Sequence, residues 1–466
     1  MARSGLKATL DLAPIYERYP HLFEGDRFAE ASRWDIDPRQ LHHLLDFIAH
    51  GYAEDQSRDS AERAAAMETS LTVDWDEAPV PYRQVPALIA GEANAVRRHA
   101  LEAKYLTAMT TLNSPLEAGE KRKQRAGRQF GHADYVAMYD ELRGFDLAGL
   151  TATMKKFIAD THDLYFSTLD TYLHEMHILR EDARRCDLSR IFRAPHHDVS
   201  FPSDQMLPRL HSALRDLGIL LGDQPNIHVD AEPRPLKSPR AFCAIIGVPD
   251  EIRLVVKPSG GEQDYESLFH EAGHAEHYGS VGRTEPFAYR YLGDPSVTES
   301  YAFLFEYLLH DANWLRRNLA MDATNFFHLV GFQRLYMLRR YGSKLIYEQE
   351  LHRSNEPGDV ATYYDDLMSQ NLGATYGPES FLTDVDDGFY CAAYLRAWIF
   401  EAQHRRFLLK EFDQEWFRNP KAGRFLVELW REGQKYSVEE LARFMGFEQL
   451  DIGVVTQDIR RLLGAE

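Results

Sequence analysis

The spacing of apolar residues along the chain predicts helix nearly throughout. From about Glu92 to Leu179 the pattern is long, amphipathic and charge-laced, with a break at Asn113-Ser-Pro115; residues 1–60 read as short helices mixed with turns. Near the centre, Tyr265, Leu268, Phe269, Ala272 and Ala275 fall at i, i+3, i+4, i+7 and i+10 and make one apolar stripe. That stripe predicts a helix over Asp264–Tyr278, entered from the turn-forming Pro258-Ser-Gly-Gly261. The segment Asp294–Leu309 is apolar nearly all round, as a buried helix is, and helical patterns continue over Asp322–Tyr341 and Asp386–Lys410. Only residues 225–257 depart from this. There 240–247 and 252–257 are apolar runs rich in β-branched residues, separated by Val248-Pro-Asp-Glu251, which predicts a hairpin. The expected fold class is mainly α, with a small antiparallel β-sheet next to the central helix.

Composition sharpens this in a few respects. Lys plus Arg number 53 against 72 Asp plus Glu, a net charge of −19, which argues against nucleic acid or an anionic membrane surface as partner. The three cysteines, Cys186, Cys243 and Cys391, have no C-x-x-C spacing and indicate no disulfide framework. Met1–Lys7 lacks the apolar run of a signal peptide, no stretch is long enough to span a membrane, and a cytoplasmic location is expected. The basic run Glu120–Arg128 reads as a solvated segment rather than a binding patch.

The candidate chemistry lies in His270-Glu271-Ala272-Gly273-His274. On a helix this H-E-x-x-H spacing puts two imidazoles one turn apart, on the side opposite the apolar stripe, where both can bind one Zn²⁺ beside a glutamate able to act as base. Catalytic zinc usually takes three protein ligands. A third histidine six residues on, after a glycine, is ruled out, because those places hold Ser280 and His277. A glutamate on the following apolar helix remains, since a carboxylate buried there needs a partner. Glu299 and Glu306 are the two candidates; Glu299 also completes a possible capping box, Ser296-Val-Thr-Glu299. Ser267, Thr298 and Ser300 have no base at a recognisable spacing. The two E-x-x-H pairs, Glu271/His274 and Glu401/His404, would suit a di-iron helical bundle but leave His270 without a task.

These motifs resemble the zinc peptidases of the thimet oligopeptidase, neurolysin and oligoendopeptidase F type. In that family the third ligand is a glutamate 25 positions after the second histidine, the separation of His274 and Glu299. Arg193-Ala-Pro-His-His-Asp-Val-Ser-Phe-Pro202, Leu217-Gly-Ile, Arg240-Ala-Phe-Cys243 and Ile252–Lys257 are similar to other family blocks, and the similarity covers about residues 185–410. A carboxypeptidase family with an H-E-F-G-H motif and the angiotensin-converting-enzyme family share the fold. The resemblance implies a large helical metallopeptidase with a deep cleft, one Zn²⁺ held by His270, His274 and Glu299, and Glu271 as the base. It implies short peptide substrates, with endo-acting cleavage preferred over carboxypeptidase action. The edge of the predicted sheet could pair with an extended peptide. Oxyanion donors come from a late helix in such enzymes, and here Tyr390 and Tyr394, one helical turn apart, are the candidates, with Tyr376 a lesser one. The family's pattern has a glycine-rich loop and a histidine upstream of its tyrosines, and here aspartates around Asp387 replace the loop. His196, His197 and His277 read as surface residues or outer contacts. Residues 1–185 are expected to wall the cleft and 186–466 to form the catalytic region.

Overall fold

The computed structural model describes residues 12–465 except 235, 236, 239 and 322, so the start of the chain and the first residue of Asp322–Tyr341 lie outside it. Helix accounts for 71% of the structure, as the hydrophobic pattern predicts. The described residues form two compact units, one of 12–194 with Phe332–Ala392, the other of Pro195–Gly331 with 393–465.

The first unit is built on two long helices, α1 (Pro38–Ser70) and α2 (Ala95–Gln129), which pack together. Both correct the expected pattern. Short helices Ala13–Arg18 and Arg27–Ala31 with turns precede α1, as expected, but Asp37 then caps α1 by accepting from the N–H groups of Arg39 and Gln40, and Pro38 at the first helical position needs no donor, so one long helix takes the place of short ones over 38–60. The break expected at Pro115 is absent: α2 runs through that proline, which is buried. Tertiary packing outweighs a penalty of ~3 kcal/mol for interior proline. Part of the basic run lies inside: Glu120 and Lys123 are buried, with Lys123 against Glu54, Glu120 and Asp387. Strands β1 (Thr72–Trp75) and β2 (Ala78–Pro81) form a short hairpin between the two helices in sequence.

The second unit holds the motif. Strands β3 (Ile227–Asp230), β4 (Phe242–Gly247) and β5 (Glu251–Val255) form a sheet in the order β3-β5-β4. The β4–β5 pair is the predicted antiparallel hairpin, whereas β3 joins β5 in parallel. This leaves β4 on an edge, where Ile245 and Ile246 are exposed.

Helix α3 (Glu262–Ser280) packs on β4 and β5 and against helix α4 (Pro295–Glu306). It begins at Gly261, whose φ of 93° admits the chain into the helix at little strain. The predicted stripe is its buried face: Tyr265, Leu268, Phe269, Ala272 and Ala275 are each at most 2% exposed, in a core with Val297, Tyr301, Leu304, Trp314 and Trp430. At ~1.5–3 kcal/mol for each large apolar side chain, that burial fixes which face α3 turns away from the core. The division between the units falls within two more helices, α5 (Thr324–Arg353) and α6 (Tyr390–Phe412).

Candidate metal centre

His270 and His274 stand one turn apart on the side of α3 opposite its buried stripe. Their contact with Glu299 is set by how closely α4 approaches. A Cβ on Gly273 would lie 2.6 Å from Ala302 Cα and 2.7 Å from the Tyr301 carbonyl oxygen, so only glycine admits α4 at this separation. Asp294 caps α4 by accepting from Ser296 N–H. Ser296 is therefore inside the helix, where its hydroxyl meets Arg396, and the capping box in which Glu299 would reach back to it does not form.

Glu299 turns to the histidines instead. Its Oε2 lies 3.3 Å from His270 Nε2 and 3.6 Å from His274 Nε2. One donor atom from each of the three residues falls within 4.8 Å of the others. The opposite ring nitrogens are also engaged: His270 Nδ1 is hydrogen-bonded to Glu306 Oε2 at 3.0 Å and His274 Nδ1 to Thr298 Oγ1 at 2.7 Å. An imidazole donating from Nδ1 keeps the Nε2 lone pair free for a cation, the usual second support of a metal-bound histidine. Burial opposes ionisation of Glu299, yet His274 and His270 outweigh it and hold the carboxyl well below the usual carboxylate range. Burial likewise disfavours charge on His270, but Glu299 and Glu306 hold its pKa well above the ordinary imidazole value. Two imidazoles and a carboxylate converging in this way fit a zinc ligand set of the two-histidine, one-glutamate kind.

Glu271 points toward the sheet. Its Oε2 accepts from Cys243 N–H of edge strand β4 at 2.7 Å, which fixes the carboxylate beside the histidines without making it part of their cluster. Tyr394 lies in an aromatic group with Trp398 and Phe303, and Phe303 meets the His270 ring edge-on at 5.1 Å. Tyr390 is the first residue of α6, one turn earlier. Tyr376 is buried, with its hydroxyl 2.7 Å from that of Tyr336.

His277 is not a surface residue. It is fully buried against Tyr278 and Tyr301, and burial lowers its pKa to about 3. His196 is exposed and His197 packs on Phe326. Among the described residues none of these three joins a group able to hold a metal. Nor do Glu401 and His404: Glu401 accepts from Arg405 at 2.8 Å, and His404 sits among Tyr301, Phe400 and Phe425. Sequence spacing had left Glu306 as a rival ligand and gave no task to Thr298; both support the rings of the histidines.

No protein-family model and no curated protein matches the chain. Solved structures do, 112 chains in all. A protein from Bacillus anthracis str. Ames described as an oligoendopeptidase F superposes with a TM-score of 0.67 at 15% identity, covering 97% of this chain and 79% of that one. A second protein described as an oligoendopeptidase F gives 0.65 at 14% identity, over 97% and 81%. PZ peptidase A, solved with an inhibitor, gives 0.64 at 13%, over 97% and 81%. The chain has the oligoendopeptidase F fold. Its three-stranded sheet, α3 and α4 thus belong to an architecture that extends over 97% of the chain. The earlier resemblance, limited to residues 185–410, is carried by the whole fold. Among the described residues no helix is long and apolar enough to cross a membrane.

Proposed function

We propose that this protein is a zinc-dependent peptidase that cleaves short peptides. The observation that carries this is the convergence of His270 Nε2, His274 Nε2 and Glu299 Oε2 on one point, in a fold shared with oligoendopeptidase F and PZ peptidase. His270, His274 and Glu299 hold one Zn²⁺ per chain, with Glu306 and Thr298 fixing the two rings. When bound, the ion supplies Lewis acidity to a water and to the scissile carbonyl.

The remaining work falls to side chains. Glu271 takes the proton of the attacking water and passes it to the leaving amine nitrogen. Its Oε2 is occupied by the Cys243 N–H, which leaves Oε1 for the proton. Tyr390 or Tyr394 donates its phenolic hydrogen to the developing oxyanion; the place of Tyr394 in the aromatic group beside His270 supports it. The edge of β4 offers main-chain groups to an extended peptide, a mode that tolerates many side chains. Three free cysteines suit the cytoplasm, where thiols stay reduced.

Digestion of a peptide library, followed by mass spectrometry on the wild type and Glu271→Gln, tests the assignment. Internal cleavage by the wild type that is lost in the variant supports it. Undiminished cleavage by the variant refutes the role of Glu271. Products shortened one residue at a time from the C-terminus would make it a carboxypeptidase.

A further inference from the structure

We propose that Glu262, Glu266 and His310 form a second divalent-cation site, separate from the cluster of His270, His274 and Glu299. Glu262 and Glu266 are one turn apart on α3, and His270 follows one turn later, so all three project from the same side of the helix. His310 comes from the 3₁₀ turn Tyr307–His310 that continues α4. One donor atom from each of Glu262, Glu266 and His310 lies within 4.8 Å of the others, and His310 Nε2 is 3.2 Å from Glu266 Oε1.

The state of these donors is what points to a ligand. Glu262 is 6% exposed and His310 5%. Yet Glu262 Oε1 and His310 Nδ1 have no hydrogen-bond partner, and His310 Nε2 has only its contact with Glu266. A buried polar atom left unsatisfied is costly, and two so near one another are a standing penalty unless something fills the space between them. Glu262 and Glu266 also bring two carboxylates together at this place. A divalent cation satisfies the orphan atoms and the charge together.

The contrast with another convergent group is instructive. His99, Cys186 and Asp187 also converge, but Arg98 already neutralises Asp187 at 2.6 Å, so a cation gains nothing there. The donor set of two carboxylates and one imidazole favours borderline and hard ions such as Zn²⁺ or Mn²⁺ over thiolate-seeking ones. Bound there, the ion ties the first turn of α3 to the segment after α4, the two elements whose mutual placement sets the distance from His270 and His274 to Glu299.

Metal content per chain decides the matter. Full-length protein is stripped with a chelator, dialysed against Zn²⁺ or Mn²⁺ and measured by elemental mass spectrometry, with folding checked by circular dichroism. Two equivalents are expected for the wild type, one each for His310→Asn and His270→Asn, and none for the double variant. The His270→Asn protein should still gain thermal stability on adding metal, because its remaining site is the new one. If His310→Asn does not fold, Glu262→Gln takes its place. Metal content in the folded variant equal to the wild type overturns the proposal. One equivalent in the wild type that His310→Asn loses and His270→Asn keeps supports it, while refuting the zinc assignment made for His270 and His274.

Discussion

Gly273→Ala places one methyl group in the contact that aligns Glu299 with the two histidines. The added Cβ would stand 2.6 Å from Ala302 Cα, 2.7 Å from Tyr301 O and 3.0 Å from Ala302 N, where ordinary contacts are 3.4–4 Å. All three are backbone atoms, so no rotamer change relieves the clash, and α4 must retreat by about 1 Å; overpacking of this kind costs ~1–3 kcal/mol. Glu299 lies three residues before Ala302 and moves with it, whereas metal–ligand distances tolerate only ~0.2 Å. Loss of an outer support to a metal ligand weakens binding ~10–100-fold, so displacing a ligand itself should cost at least ~100-fold. Chelator-competition titration of zinc measures this, together with urea unfolding midpoints. Gly279→Ala is the control on the same helix. Its Cβ would meet side chains alone, Ile227 Cδ1 at 2.7 Å and Cγ1 at 2.8 Å and Asn226 Nδ2 at 3.5 Å, which can give way where backbone cannot; stability should fall and zinc affinity should hold. Equal zinc affinity in Gly273→Ala and the wild type would refute the idea that the α3–α4 approach sets the ligand geometry.

Three further outcomes are expected. Glu271→Gln should lose ~10²–10⁴-fold in turnover, measured on a fluorogenic peptide, while retaining zinc. Glu299→Ala should lose the metal altogether, whereas Glu306→Ala and Thr298→Val should keep it at ~10–100-fold lower affinity; the reverse order in elemental analysis would exchange the roles of the two glutamates. His404 is fully buried and burial lowers its pKa to about 3, below the ~6.5 of the unfolded chain. The unfolded state therefore takes up the proton first: this contribution to stability is whole above pH ~6.5 and is lost as pH falls toward 3. His404→Phe, which places hydrocarbon where both ring nitrogens have no hydrogen-bond partner, should flatten the fall in urea midpoint between pH ~7 and ~5; an unchanged slope would refute it.

Whatever depends on neighbours along the chain is legible in the residues alone. The apolar stripe of α3, the opposite placement of His270 and His274, the hairpin of β4 and β5 and the mainly helical class all follow from period and propensity, and all are found. Local signals failed where another contact outweighed them. Pro115 reads as a break, yet packing holds it inside α2. Ser296 reads as a cap, yet Asp294 caps the helix and leaves Glu299 to the histidines. The same limit applies to the site. Spacing narrowed the third donor to Glu299 or Glu306, and the family resemblance favoured Glu299. Which carboxylate meets Nε2 and which meets Nδ1 depends on the rotation and approach of α4 against α3, set by the bare surface of Gly273. Glu262, Glu266 and His310 show no motif for the same reason: two lie on α3, the third lies beyond α4, and only the packing of those elements brings them within reach of one another.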